Sequence, residues 1–298
     1  MATATSTKPP LKALSYSTNP LALWHLLSLD ASTVAVLWTW FIASANHVHL
    51  PLSSALAMAI TVWMLYAADR LMDARLMDAH PLGANPTHHQ DLEARHYFHH
   101  RHRPAFLAGI ILASIALAAL LPRLDAQAIH LYLILGGLVC GYFIVIHATH
   151  SAHRLPKEIA VGFCFAAATF IPTVARRPDL RLPLLHSAIL FATLCSINCL
   201  YIYAWEHEDH CPDRPTHAIT RIALNNLSSL TILVALSGVT LALFDHSTPQ
   251  TIPYATALSA SILLLLHKQR RSIPRITLRA AADVALTTPI LLLPFLQR

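Results

Sequence analysis

Apolar residues in this chain do not alternate with polar ones. They come in long runs, with charge gathered between them. Nine runs can be marked, over residues 24–45, 51–70, 104–122, 128–147, 158–175, 184–205, 221–243, 252–268 and 279–296. A helix of about 20 apolar residues crosses the hydrocarbon layer of a bilayer. Pro residues collect at the ends of the runs and between them, where they punctuate helices. The pattern predicts an all-α fold: a polytopic membrane helical bundle of about nine transmembrane helices, forming one domain over residues 21–298. Residues 1–20 are polar, carry two Lys and lack the apolar stretch of a signal peptide, so they read as a disordered cytosolic tail.

Composition agrees with this reading. The 298 residues are 55% hydrophobic and 12% charged, and mean hydropathy is +0.50. A soluble domain carries about 25% charged residues. The net charge of +6 therefore does not argue for nucleic acid. In a membrane protein, basic residues mark cytoplasmic loops. With the N-terminus inside and nine crossings, sixteen of the 21 Lys and Arg fall on inside segments. The discordant segment is Arg176-Arg177-Pro178-Asp179-Leu180-Arg181. The expected location is a bacterial inner (cytoplasmic) membrane with the N-terminus cytoplasmic. Of the five Cys, Cys140, Cys164, Cys195 and Cys199 lie in apolar runs, and no spacing suggests a disulfide framework or a zinc knuckle.

Candidate chemistry sits at the ends of two runs. Asp69 and Asp73 close the second run and are four apart, so on a helix they share one face. Two carboxylates so placed are stabilised by a cation, either a metal or the adjacent Arg70 or Arg75. The sixth run ends in Trp205-Glu206-His207-Glu208-Asp209-His210-Cys211-Pro212-Asp213. Glu206, Asp209 and Asp213 are spaced i, i+3, i+7, one stripe of a helix, although Pro212 interrupts its continuity. Nine crossings put both acidic clusters on the cytoplasmic side. A plainer reading makes each a solvated cap beyond its span, with Tyr201, Tyr203 and Trp205 as interfacial aromatics.

Basic residues open the fifth run, in His153-Arg154-Leu155-Pro156-Lys157-Glu158. Arg154 and Lys157 suit either lipid headgroups or a diphosphate, Arg as a fork and Lys as a point charge. The loop after the second run is rich in His, with His96 and His100 at metal-binding spacing. Its Arg residues and Tyr97-Phe98 equally describe a basic helix on an anionic leaflet. Asn198, two turns before Glu206, is a polar amide within an apolar run, a position that commonly bonds between helices. Asp30 interrupts the first run, and Asp283 lies four beyond Arg279, an expected ion-pair partner.

Nine runs with acidic motifs after the second and sixth resemble the UbiA superfamily of intramembrane prenyltransferases, and the resemblance covers nearly the whole chain. That family carries N-D-x-x-D-x-x-x-D after its second span. Leu65-Tyr66-Ala67-Ala68-Asp69-Arg70-Leu71-Met72-Asp73 aligns with it, matching over Ala68-Asp69-Arg70 and Asp73. Leu65 and Tyr66 stand at the leading Asn and first Asp. Glu206 with Asp209 and Asp213 stands for the second motif, and Pro156-Lys157-Glu158 with Gly162 for the basic opening of the fifth span.

The resemblance implies transfer of an isoprenyl group from a polyprenyl diphosphate to an aromatic or other lipophilic acceptor, with Mg²⁺ as cofactor. It implies Asp69 and Asp73 as catalytic residues. Asp69, Asp73, Glu206, Asp209 and Asp213 would hold the metal and diphosphate, and Arg70, Arg154, Lys157 and Asn198 would bind substrate. Isoprenyl diphosphate, the acceptor and membrane lipids would be the partners, with no nucleic acid. The alternative is a non-catalytic relative that binds a prenyl lipid or a metal, or serves as a membrane partner subunit.

Overall fold

A computed structural model describes residues 20–79, 94–148, 156–206 and 217–296. For residues 22, 73–79, 94–97, 143, 145–148, 276, 295 and 296 it describes the backbone alone. The expected tail at 1–20 lies almost entirely outside the described residues. Those described are helical or in short connections, with no strand among them.

The helices follow the apolar runs. In chain order they are α1 (Pro20–Leu26), α2 (Leu29–Ala45), α3 (Leu52–Ala79), α4 (Ala94–Arg101), α5 (Arg103–Leu120), α6 (Ala126–Ala148) and α7 (Lys157–Arg176). Then come α8 (Leu185–Glu206), α9 (Ala218–Asn225), α10 (Leu227–Phe244), α11 (Thr251–Gln269), α12 (Arg275–Ala285) and α13 (Pro289–Leu296). Six stretches among the described residues are long and apolar enough to cross a membrane: Leu52–Met72, Arg103–Arg123, Lys157–Arg176, Leu185–Glu206, Leu227–Phe244 and Thr277–Pro294. Leu29–Ala45 and Ala126–Tyr142 are apolar but shorter. These helices are consistent with a membrane protein.

The first, seventh and ninth runs are each helical in two pieces. The first breaks at Leu27-Ser28, where Ser28 takes a left-handed backbone with φ 58°. A residue with a side chain adopts that conformation at a cost of about 1–3 kcal/mol, so surrounding contacts must hold it. Trp63 of α3 supplies one by donating its indole N–H to the Leu27 carbonyl at 3.0 Å. The ninth run breaks at Leu286–Thr288, and the Leu286 carbonyl freed there accepts from Trp38 Nε1 of α2 at 2.7 Å. Inside lipid an unsatisfied carbonyl costs several kcal/mol, so a break persists where side chains meet it.

The core gathers α2, α7, α8, α10, α11 and α12 around Trp38, Phe41, Phe170, Phe191, Tyr201 and Leu263. Lipid is as apolar as these side chains, so their association rests on close packing and on hydrogen bonds rather than on escape from water. Gly162 permits the closest approach. A Cβ there would collide with Ser196 of α8, whose Cα would lie 2.6 Å away. α8 is thereby pressed on α7 just before Asn198. α5 and α6 are peripheral, α5 against α3 and α6 against α7, with Leu112, Ile115, Leu133 and Leu138 facing outward.

The discordant basic segment neutralises part of its own charge. Arg177 grips Asp179 through Nε and Nη2, at 2.9 and 2.6 Å. Both side chains are about half exposed.

Candidate polar site at one end of the bundle

Asp30 is the second residue of α2, where a helix N-terminus favours an acid. α3 returns antiparallel after a short connection, so Arg70, late in α3, comes level with Asp30. Arg70 Nη2 lies 3.5 Å from Asp30 Oδ2, and both side chains are buried. Asp30 Oδ1 accepts from the Ala31 N–H at 2.9 Å, and Oδ2 meets His25 Nδ1 at 2.5 Å. The break at Ser28 makes the last contact possible by folding α1 back over the start of α2.

α8 and α12 complete the centre. Asn198 donates from Nδ2 to Asp283 Oδ1 at 3.1 Å. Ligand atoms of His25, Asp30 and Asp283 all lie within 4.8 Å of one another. Five polar residues from α1, α2, α3, α8 and α12 therefore converge inside an apolar bundle. Buried charges at membrane depth are expensive and persist when they pair or serve a function. Two buried atoms of this group have no hydrogen-bond partner, Arg70 Nη1 and Asn198 Oδ1.

A second group lies at the same end but further out. Lys157, the first residue of α7, brings Nζ to 3.9 Å from Asp69 Oδ1. The two side chains are 53% and 47% exposed, so both remain open to the surroundings. Glu206, the last residue of α8, is ion-paired with Arg279 of α12. Arg279 thus reaches across to α8, where the sequence predicted a pairing with Asp283 on its own helix. Asp283 is instead engaged by Asn198. Interhelical neighbours prevail because burial brings α8 over the face of α12 that an isolated helix would leave to local pairs.

The predicted site residues therefore divide. Asp69 and Lys157 meet. Arg70 turns inward to Asp30, Asn198 bonds Asp283, and Glu206 is held by Arg279. The side chain of Asp73, and Arg154, Asp209 and Asp213 altogether, lie outside the described residues. The motif positions occupied by Leu65 and Tyr66 also separate. Leu65 is 63% exposed, whereas Tyr66 packs on Ala31, Ala35, Met58 and Val62.

His25 escaped the sequence reading, and Asp30 and Asp283 were seen there without a role. The available signal was an acid inside an apolar run, because such a residue needs a partner. The partner's identity was not legible, since His25 joins Asp30 only through the helix break. The His96/His100 pair falls partly outside the described side chains. His99 beside it is buried, with Nε2 3.5 Å from Ser28 Oγ.

Compared with known proteins, the chain matches no family model, no curated protein and no solved structure.

Proposed function

We propose that this chain is a membrane-embedded prenyltransferase of the UbiA type, transferring an isoprenyl group from a polyprenyl diphosphate to an aromatic or other lipophilic acceptor with Mg²⁺. In this reading it crosses a cytoplasmic membrane nine times from an inside N-terminus. The observation that carries the reading is the meeting of Asp69 and Lys157 at one end of the bundle. It joins the acidic motif of the second run to the basic opening of the fifth, the two groups that a metal-bound diphosphate requires.

The residues fit that ligand. Mg²⁺ takes hard oxygen ligands, commonly one or two carboxylates completed by water and phosphate oxygens. Asp69 offers an accessible carboxylate, and Lys157 a mobile ammonium within reach of the same point. Arg70 Nη1 is a buried donor with no protein acceptor, suited to an anionic oxygen. Asp73, Asp209 and Asp213 would add oxygens, and Arg154 a second cation. When bound, the metal would neutralise the departing diphosphate. The residues of the chain position that group, while apolar helix faces accommodate the prenyl tail.

The test is transfer of a labelled prenyl group in membranes carrying the protein, with Mg²⁺ and with EDTA, for wild type and for Asp69→Ala. Transfer that needs Mg²⁺ and disappears in the variant is expected. Transfer that survives the substitution overturns the assignment.

A second reading is favoured by the Glu206–Arg279 ion pair, which occupies a proposed metal ligand. Under it the chain is a non-catalytic relative that binds a prenyl lipid or a metal. Mg²⁺-dependent thermal protection by an isoprenyl diphosphate, with no product formed, would distinguish it.

A further inference from the structure

We propose that His25, Asp30, Asp283 and the side-chain oxygen of Asn198 form a binding site for one divalent first-row transition-metal ion, separate from the Mg²⁺-diphosphate group at Asp69. The first three residues present their ligand atoms within 4.8 Å of one another. His25 and Asp30 are fully enclosed, so this is not a solvated acidic surface. The independent observation is Asn198. It is 6% exposed, its Nδ2 is spent on Asp283, and its Oδ1 is buried with no partner. Turning the amide would set that oxygen against Asp283 whenever that carboxyl is ionised. An oxygen left unsatisfied on the amide that bonds Asp283 is a ligand awaiting a cation.

Charge leads to the same conclusion. Fully ionised, Asp30 and Asp283 would bring two negative charges into an apolar interior, and Arg70 offsets one. With neutral His25, one negative charge remains, which burial penalises strongly. A proton on His25, or one shared by the two carboxyl groups, would cancel it and leave Asn198 Oδ1 unmet in the observed arrangement. A divalent ion satisfies the oxygen and supplies the positive charge that the buried carboxyl groups call for.

One imidazole nitrogen and three oxygens suit Zn²⁺, Mn²⁺ or Fe²⁺. Mg²⁺ and Ca²⁺ favour all-oxygen shells. Ser28 and the α1–α2 break place His25, so the metal would lock α1 onto α2, α8 and α12.

The experiment uses the full chain purified in detergent, stripped of metal and reloaded with Zn²⁺ or Co²⁺. His96→Ala/His100→Ala is the background, removing the other His pair at metal-binding spacing. Retention of about one Zn²⁺ per chain after desalting is expected, with Co²⁺ giving a visible ligand-field spectrum. His25→Gln and Asp283→Asn should each weaken Co²⁺ binding by about tenfold or more. Asn198→Ala should weaken it less and shift the spectrum. Asp69→Asn should leave it unchanged while abolishing Mg²⁺-dependent transfer, so this proposal and the prenyl-transfer reading fail separately. No retained metal in wild-type protein overturns the proposal. Equal retention by folded Asp283→Asn and His25→Gln, an adventitious ion only, also overturns it.

Discussion

His25 Nδ1 and Asp30 Oδ2 meet at 2.5 Å although they are five residues apart. On one continuous helix, at 100° per residue, that spacing would turn them roughly 140° away from each other. The left-handed Ser28 between α1 and α2 removes this obstacle. The contact is thus a product of a helix break inside a run that reads as unbroken, and it anchors the polar centre of the molecule.

The Asp30–Arg70 pair should be costly to break and cheaper to remove whole. Arg70→Met leaves Asp30 buried with one cation fewer, and a loss of about 3–5 kcal/mol is expected. Asp30→Leu combined with Arg70→Met should recover part of it. Thermal unfolding in detergent, read as a double-mutant cycle, checks this. Additive losses would show that the two side chains do not depend on each other.

Gly162→Ala should destabilise the bundle by about 1–3 kcal/mol, because the added methyl has backbone as well as the Ser196 hydroxyl in its way. By contrast, Gly137→Ala should be nearly silent, since a Cβ there meets nothing within 4 Å. Melting temperatures of the two variants in the same detergent provide the comparison.

Asp69→Ala and Lys157→Ala should each change stability by less than about 1 kcal/mol, as expected of a half-exposed pair at 3.9 Å. Their effect should fall on transfer. Loss of turnover is expected for Asp69→Ala, and a raised KM for the diphosphate in Lys157→Ala. A large fall in melting temperature in either would assign the pair to structure.

Acid sensitivity is expected at the turn after α10. The Ser247 hydroxyl and backbone N–H both donate to Asp245, holding its carboxyl below the ordinary value. A lowered folded value makes the stabilisation fully present above the unfolded value, about pH 4, and lost as pH falls through the folded one. Ser247→Ala should narrow the difference between melting temperatures at pH 6 and pH 3. An unchanged difference would show that the turn contributes nothing to acid sensitivity.

The helical class was legible in the sequence because the bilayer imposes a length and an apolarity on each crossing, and both are written linearly. Each of the nine runs is mostly helical where described, three of them in two pieces. The breaks at Ser28 and at Leu286–Thr288 were not legible. Neither run contains a Gly at its break, and the contacts that hold the breaks open come from Trp63 and Trp38 on other helices.

Sequence alone marked Asp69, Asp73, Lys157 and Glu206 as chemistry at run ends, since charge beside an apolar run is conspicuous without a fold. It also isolated Asp30, Asp283 and Asn198 as polar exceptions. Tertiary structure alone decided who meets whom. Arg279 went to Glu206 and not to Asp283, Arg70 turned in to Asp30, and His25 joined the two acids Asp30 and Asp283. The reason is physical. In an apolar interior a charge takes whichever partner packing brings within a few ångströms, and packing is fixed by close approaches such as Gly162 on Ser196 that no local pattern encodes.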